Sequence, residues 1–307
     1  MRLIVLSDIA SLTSSNVTGS TYGEYSSVAS YDTEDKVKVS FESNGTTPRF
    51  PVKEYESLSD ANSGNYPPTD PENWIELGAE NRCKMFDGFT NTQTVRTGDI
   101  EVVIPANGVD TVGLFMLYGT EVTLRLVRSA ATIKEETFDL RTIIPVSGWY
   151  SWLFSAYEYG ITQLIWNFPK YASGATLEID ITTRSSEAKC GLVVVGLQRT
   201  LAKTQYGPKT GIDDYSIKDT DALGRTYLAQ GNYAKRADVS MWLENTQYDY
   251  VARQLTAVRG VPAIFDFNNV GTPEYQALAI YGHAQNFDMV IPGPVVSLVN
   301  IEVKGLI

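Results

Sequence analysis

Nucleophiles, metal ligands and paired carboxylates are the side chains that could carry chemistry, and this sequence is sparing with the first two. Its one histidine, His283 in IYGHAQNF, could activate a thiol or hydroxyl only if a nucleophile were folded against it. Nothing nearby in sequence supplies one, so it reads as a strand-end histidine with ordinary hydrogen bonds. Cys83 and Cys190 show no CxxC spacing, and two Cys with one His fall short of a zinc ligand set. They could pair only if the fold brings them together; otherwise both read as free thiols buried as small hydrophobes in a protein assembled in a reducing cytosol. Glu178 and Asp180 are the tidiest acid pair. They line the polar face of a strand whose other face carries Leu177, Ile179 and Ile181. A glycosidase needs two carboxyls about 5 to 10 Å apart, but exposed strands carry such pairs routinely. The Asp219 to Gly224 run approaches a calcium loop, yet it has Leu223 at a ligand position and Gln230 where the closing Glu belongs. It reads as a hairpin turn. GxGxxG, GxxxxGK[ST] and GxSxG are all missing from the sequence, so no catalytic residue, metal or cofactor is expected.

A denser signal is aromatic. Trp149, Tyr150, Trp152, Phe154, Tyr157 and Tyr159 crowd together, with Trp166, Phe168 and Tyr171 close behind. Tyr150, Trp152 and Phe154 share one face at period two and would fill a core or a subunit contact. The alternative is that Trp149, Trp152 and Tyr157 are exposed and stack on sugar rings.

The elements that must position these residues are mostly strands. IEVVIP, VGLFMLYG, EVTLRLVR, TFDLRTII, WYSWLF, TQLIWNF, ATLEIDITTR and GLVVVGLQ are short, β-branched or aromatic, and separated by turn residues. Val122, Leu124 and Leu126 alternate with Thr123 and Arg125. Residues 71–205 therefore predict an antiparallel β-sandwich of jelly-roll type. Residues 1–70 are rich in Ser, Thr, Gly, Tyr and Pro apart from the alternating KVKVSFES, which predicts an extended N-terminal arm with short strands. Residues 206–307 predict an α+β domain of ββαββ order. It begins with a hairpin from Asp213 to Trp242, turning near Asp221 to Gly224. A helix follows over about Thr246 to Arg259, N-capped by Asn245 and stopped by Gly260 and Pro262. Its apolar stripe is Tyr248, Val251, Leu255 and Val258.

Composition narrows the partners. A net charge of −11 is the wrong sign for neutralising phosphates, so neither nucleic acid nor an anionic membrane is expected. The Leu3 to Leu6 run is too short for a signal-peptide core, and no stretch is apolar enough to span a bilayer. Aromatics at 11% and charged residues at 20% are a balance that protein interfaces favour.

Trp74, Gly78, Asn81, Arg82, Met85, Phe86 and Asp87, within NWIELGAENRCKMFDGFTNTQT, resemble a segment of tail-associated virion proteins of long-tailed bacteriophages. Ser14 to Val17, Tyr31 to Val37, Tyr55 to Leu58 and Asn62 to Pro67 are similar to the same group. So are Tyr233 to Arg236, Arg253, Leu255, Arg259 to Pro262 and the final IEVKGLI. Tyr31 to Trp74 is also similar to small carbohydrate-binding modules, which implies a miniature β fold within the arm. Glu80 and Cys83 depart from the pattern, standing where a small hydroxyl residue and an aromatic belong. The resemblance implies a structural, non-enzymatic component of a tail tip, baseplate or fibre-attachment collar. It further implies a galactose-binding-like sandwich, assembly into a homo-oligomeric ring with other tail proteins, and residence in the virion after assembly in the host cytoplasm. Host-surface glycan is the alternative partner. Within the block, Arg82 is expected to fork onto Asp87 or a carbonyl while Trp74, Met85 and Phe86 pack beneath it, clamping the arm to the sandwich.

Overall fold

Strands alternate buried and exposed residues through most of this chain, and the outcome is a mainly β protein. The computed structural model describes residues 1–142, 148–149, 158–184, 187–220, 224–269 and 275–306. They form two compact units, one of residues 8–195 and one of residues 1–7 with 196–307. This division differs from the expected boundaries at 70 and 205.

In the 8–195 unit, an antiparallel sheet runs in the order Ala131–Asp139, Glu121–Arg128, Ala175–Thr182, Ile100–Pro105, Ser14–Ser15. Its alternating residues, among them Ile100, Val102, Val122, Leu124, Leu126, Leu177, Ile179 and Ile181, are buried in one core. Val112 and Leu114 of Thr111–Phe115, Trp166 of Gln163–Asn167, and Val193 and Val195 close that core from a second layer. Period-two burial in Ile100–Pro105, Glu121–Arg128 and Ala175–Thr182 is what the sequence alternation requires, whereas Thr111–Phe115 is buried along its whole length. The pair Thr94–Thr97 with Glu187–Cys190 adds a short ribbon that the sequence did not signal.

The first 70 residues are not an extended arm. Arg2–Ser7 pairs with Ala263–Asp266, and Ile9, Leu12 and Val17 pack on the sandwich core. Gly23–Glu24, Lys36–Phe41, Pro48–Ser57 and Trp74–Ala79 build a four-stranded sheet. This small sheet has its own core of Val37, Val39, Tyr55 and Trp74, with Tyr25, Tyr31 and Tyr66 against it. Aromatic area replaces the aliphatic volume that so short a segment lacks.

The other unit places Arg2–Ser7, Ala263–Asp266, Ala279–Val290, Val296–Gly305 and Tyr233–Glu244 side by side in one antiparallel sheet. The helix is Tyr248–Ala257, entered through a 3-10 turn over Asn245–Gln247. Its stripe falls as expected, with Val251, Leu255 and Val258 buried. Asn245 does not cap it, however. Its amide donates to the Gly293 carbonyl and accepts from Ser297 Oγ, so the side chain is already committed. The expected hairpin is present: Lys209–Asp214 pairs with Tyr233–Glu244, and beyond it Ile217–Thr220 pairs with Thr226–Ala229.

Candidate functional site

Residues Asn81–Phe86 form a 3-10 helix, and its tight winding sends successive side chains to different places. Cys83 enters a small cluster with Val52 and Ala79, whereas Met85 enters the sandwich core. Phe86 meets Phe50 at 5.4 Å between ring centres. Asn81 acts as a backbone mimic. Its Nδ2 donates to the Val95 carbonyl at 2.8 Å and its Oδ1 accepts the Val95 N–H at 3.1 Å. Thr94 Oγ1 donates to the Asn81 carbonyl and accepts the Met85 N–H. This turn is thus stitched to the sandwich on one side and to the small sheet on the other.

The expected Arg82 to Asp87 fork does not form. Arg82 Nε donates to Glu80 Oε1, while Asp87 accepts the Phe89 N–H at 2.9 Å and the Thr92 hydroxyl at 2.7 Å. Burial pushes the Asp87 carboxyl up, with those two hydrogen bonds working against it. Trp74 does not lie beneath Arg82 either; it fills the small sheet's core and donates its indole N–H to the Asn65 carbonyl. The centre of the joint is Glu80, which is 0% exposed. Its Oε2 accepts the Ser20 N–H at 2.8 Å, its Oε1 holds Arg82, and Cys83 Sγ lies 3.6 Å from Oε1. Glu80 N–H donates to the Val52 carbonyl, and the Glu80 carbonyl accepts from Cys83 and Lys84. One buried carboxylate therefore ties residue 20, the small sheet and the turn together. Glu80 and Cys83, the two departures from the phage pattern, are both part of this arrangement.

Glu178 and Asp180 face outward beside Arg125, as alternation dictates. Arg125 Nη1 donates to Glu178 at 2.7 Å, Nη2 to Asp180 at 2.8 Å, and Nε to Glu135 at 3.0 Å. A guanidinium that occupies both carboxylates leaves no acid and base poised across a sugar. Asp180 is nonetheless pushed up, first by burial and then by Glu101 and Glu178, with Arg125 opposing. These residues and Ser14, Ser15, Asn16 and Val103 line a groove of about 570 Å³.

The aromatic run divides. Trp166 and Phe168 are buried in the sandwich core, and Arg128 lies over the Tyr171 ring at 4.6 Å. Trp149 is 76% exposed. Trp152 and Tyr157 lie outside the described residues. Both cysteines are free and buried, and burial pushes Cys83 up to about 11 and Cys190 to about 12. His283 stands within Ala279–Val290, across from Lys304. Among the described residues no group of three His, Cys, Asp or Glu is placed to hold a metal ion, and no helix is long and apolar enough to cross a membrane.

No family model, curated protein or solved structure matches the chain.

Proposed function

We propose that this chain is a non-enzymatic structural component of a bacteriophage tail, at the tip, baseplate or fibre-attachment collar, and that it works through oligomeric protein interfaces. The observation that supports this is the concentration of large apolar side chains left exposed between Tyr206 and Tyr233. Among them are Tyr206, Ile212, Ile217 and Leu228. Large apolar side chains left in solvent within one segment favour contact with another protein. Ring closure around a tail axis would use such a surface once per subunit. The phage assignment itself rests on the resemblance of the Trp74 to Asp87 block. Imaging of intact particles and mass measurement of the purified chain test the reading: an oligomer located in the tail is expected, and a monomer found in no particle would refute it.

Glycan binding is a second reading, favoured by the exposure of Trp149. Saccharide-dependent change in tryptophan fluorescence, abolished by Trp149→Ala, is the expected outcome; a flat titration removes this reading.

A further inference from the structure

We propose that Asn44 is a site of spontaneous covalent modification, turning into aspartate and isoaspartate in water alone, while Asn107, in the same dipeptide, is preserved by the fold. This is independent of the assembly reading above. The sequence holds two Asn-Gly steps, Asn44-Gly45 and Asn107-Gly108. Such a step is open to attack on itself, because glycine has no side chain to shield its backbone nitrogen. Gly45 N gives its proton to hydroxide and bonds to Asn44 Cγ; the Cγ–Nδ2 bond breaks, and Nδ2 leaves as ammonia. A five-membered succinimide remains. Water then opens either of its two carbonyls, giving aspartate or isoaspartate, and no other reagent is consumed.

The two steps differ in what must open before the ring can close. Asn107-Gly108 lies between Ala106 and Val109, both buried in the sandwich core. Asn107 Oδ1 accepts the Ala175 N–H at 3.2 Å, and Gly108 N–H donates to the Tyr171 carbonyl at 2.7 Å. Nucleophile and electrophile are thus each held by a distant segment, and freeing them means parting this turn from the sandwich. Around Asn44, residues 41–48 are all exposed, and every bond of the pair stays within the loop. Asn44 Oδ1 accepts the Thr46 and Thr47 N–H at 3.0 and 2.9 Å, Nδ2 donates to Thr47 Oγ1 at 2.8 Å, and Gly45 N–H donates to the Glu42 carbonyl at 2.8 Å. Local opening of an exposed loop takes a small fraction of the free energy of global unfolding, so the ring can close here with the fold intact. The product loses the donor to Thr47 and gains a negative charge; isoaspartate also routes the main chain through the former side-chain carbon. Because the bonds lost lie within residues 42–47, the sheet that joins Lys36–Phe41 to Pro48–Ser57 is expected to persist.

The test holds the full-length chain at mildly alkaline pH, samples it over time and digests each sample with trypsin. Mass spectrometry then reads the exchange of amide for carboxylate in residues 39–49, which contain Asn44, and in residues 97–125, which contain Asn107. In the folded protein, conversion at Asn44 is expected to be at least about 10-fold faster than at Asn107. In urea, where the loop and the sandwich are both gone, the two rates are expected to converge. Equal rates in the folded protein overturn the proposal. So does an Asn44 that stays intact in the folded protein while both asparagines convert in urea, since the loop's own bonds would then be protection enough.

Discussion

Glu80 and Leu228 reverse the usual rule of burial in opposite directions. Glu80 is a charged side chain with no exposure; Leu228 is an apolar one at 75%. The carboxylate is tolerated because each of its oxygens is occupied, by Ser20, Arg82 and Cys83, which offsets the desolvation of an ion. The leucine has no such local compensation. Burial of a polar group is therefore justified within the chain, whereas Leu228 is left in solvent.

That contrast can be attacked from its strongest side first. Glu80→Ala strands the Ser20 N–H and leaves Arg82 without its acid, so urea denaturation is expected to show a loss of about 3 kcal/mol. The same variant should expose Cys83. In the native protein its thiol, pushed up to about 11 by burial, is expected to resist thiol reagents, and in the variant labelling should accelerate. An unchanged midpoint together with unchanged labelling would remove Glu80 from the centre of the joint.

Arg125→Ala should cost less, about 1 kcal/mol, because its network is partly solvated. Its signature is in the pH dependence. Asp180 is raised above its ordinary 3.8, mainly by burial, so the folded state binds that proton more tightly than the unfolded chain does. Its favourable contribution is present at low pH and is lost as pH rises through the raised value. Removing the guanidinium raises Asp180 further, and the variant should lose stability more steeply than wild type as pH climbs above 3.8. A parallel pair of stability curves would contradict the network. Smallest of all, Leu228→Lys at low protein concentration is expected to change stability by less than about 0.5 kcal/mol. A large loss there would mean that the hairpin carrying Leu228 packs on its own unit.

Much of the sandwich was legible because its strands alternate cleanly, as in Val122, Leu124 and Leu126, and period two survives in the folded register. The helix stripe was legible for the same reason. Asn245 misled because a good capping residue is equally good at bonding a distant loop. The small sheet was hidden by its composition. Pro48 opens the strand Pro48–Ser57 and Pro51 lies within it, a composition that argues against a strand, and the pairing with Trp74–Ala79 shifts register between Glu54 and Tyr55. Its core is drawn from tyrosines spaced without period. Arg82 pairs with Glu80 and not with Asp87, whose carboxylate is taken by the Phe89 N–H and the Thr92 hydroxyl. Glu80, two residues before the arginine, carried the signal: an acid immediately preceding a turn that begins a buried stretch. The pairing of Arg2–Ser7 with Ala263–Asp266 leaves no local trace at all.

That last pairing has a consequence for synthesis on the ribosome. The unit of residues 8–195 is inserted between the first strand of the other unit and the rest of it. The strand Arg2–Ser7, with its apolar Leu3 to Leu6, emerges before its partner Ala263–Asp266, which follows only after the inserted unit has been made. At ordinary elongation rates that interval is on the order of tens of seconds. Arg2–Ser7 thus waits for a partner that is made only after the whole inserted unit.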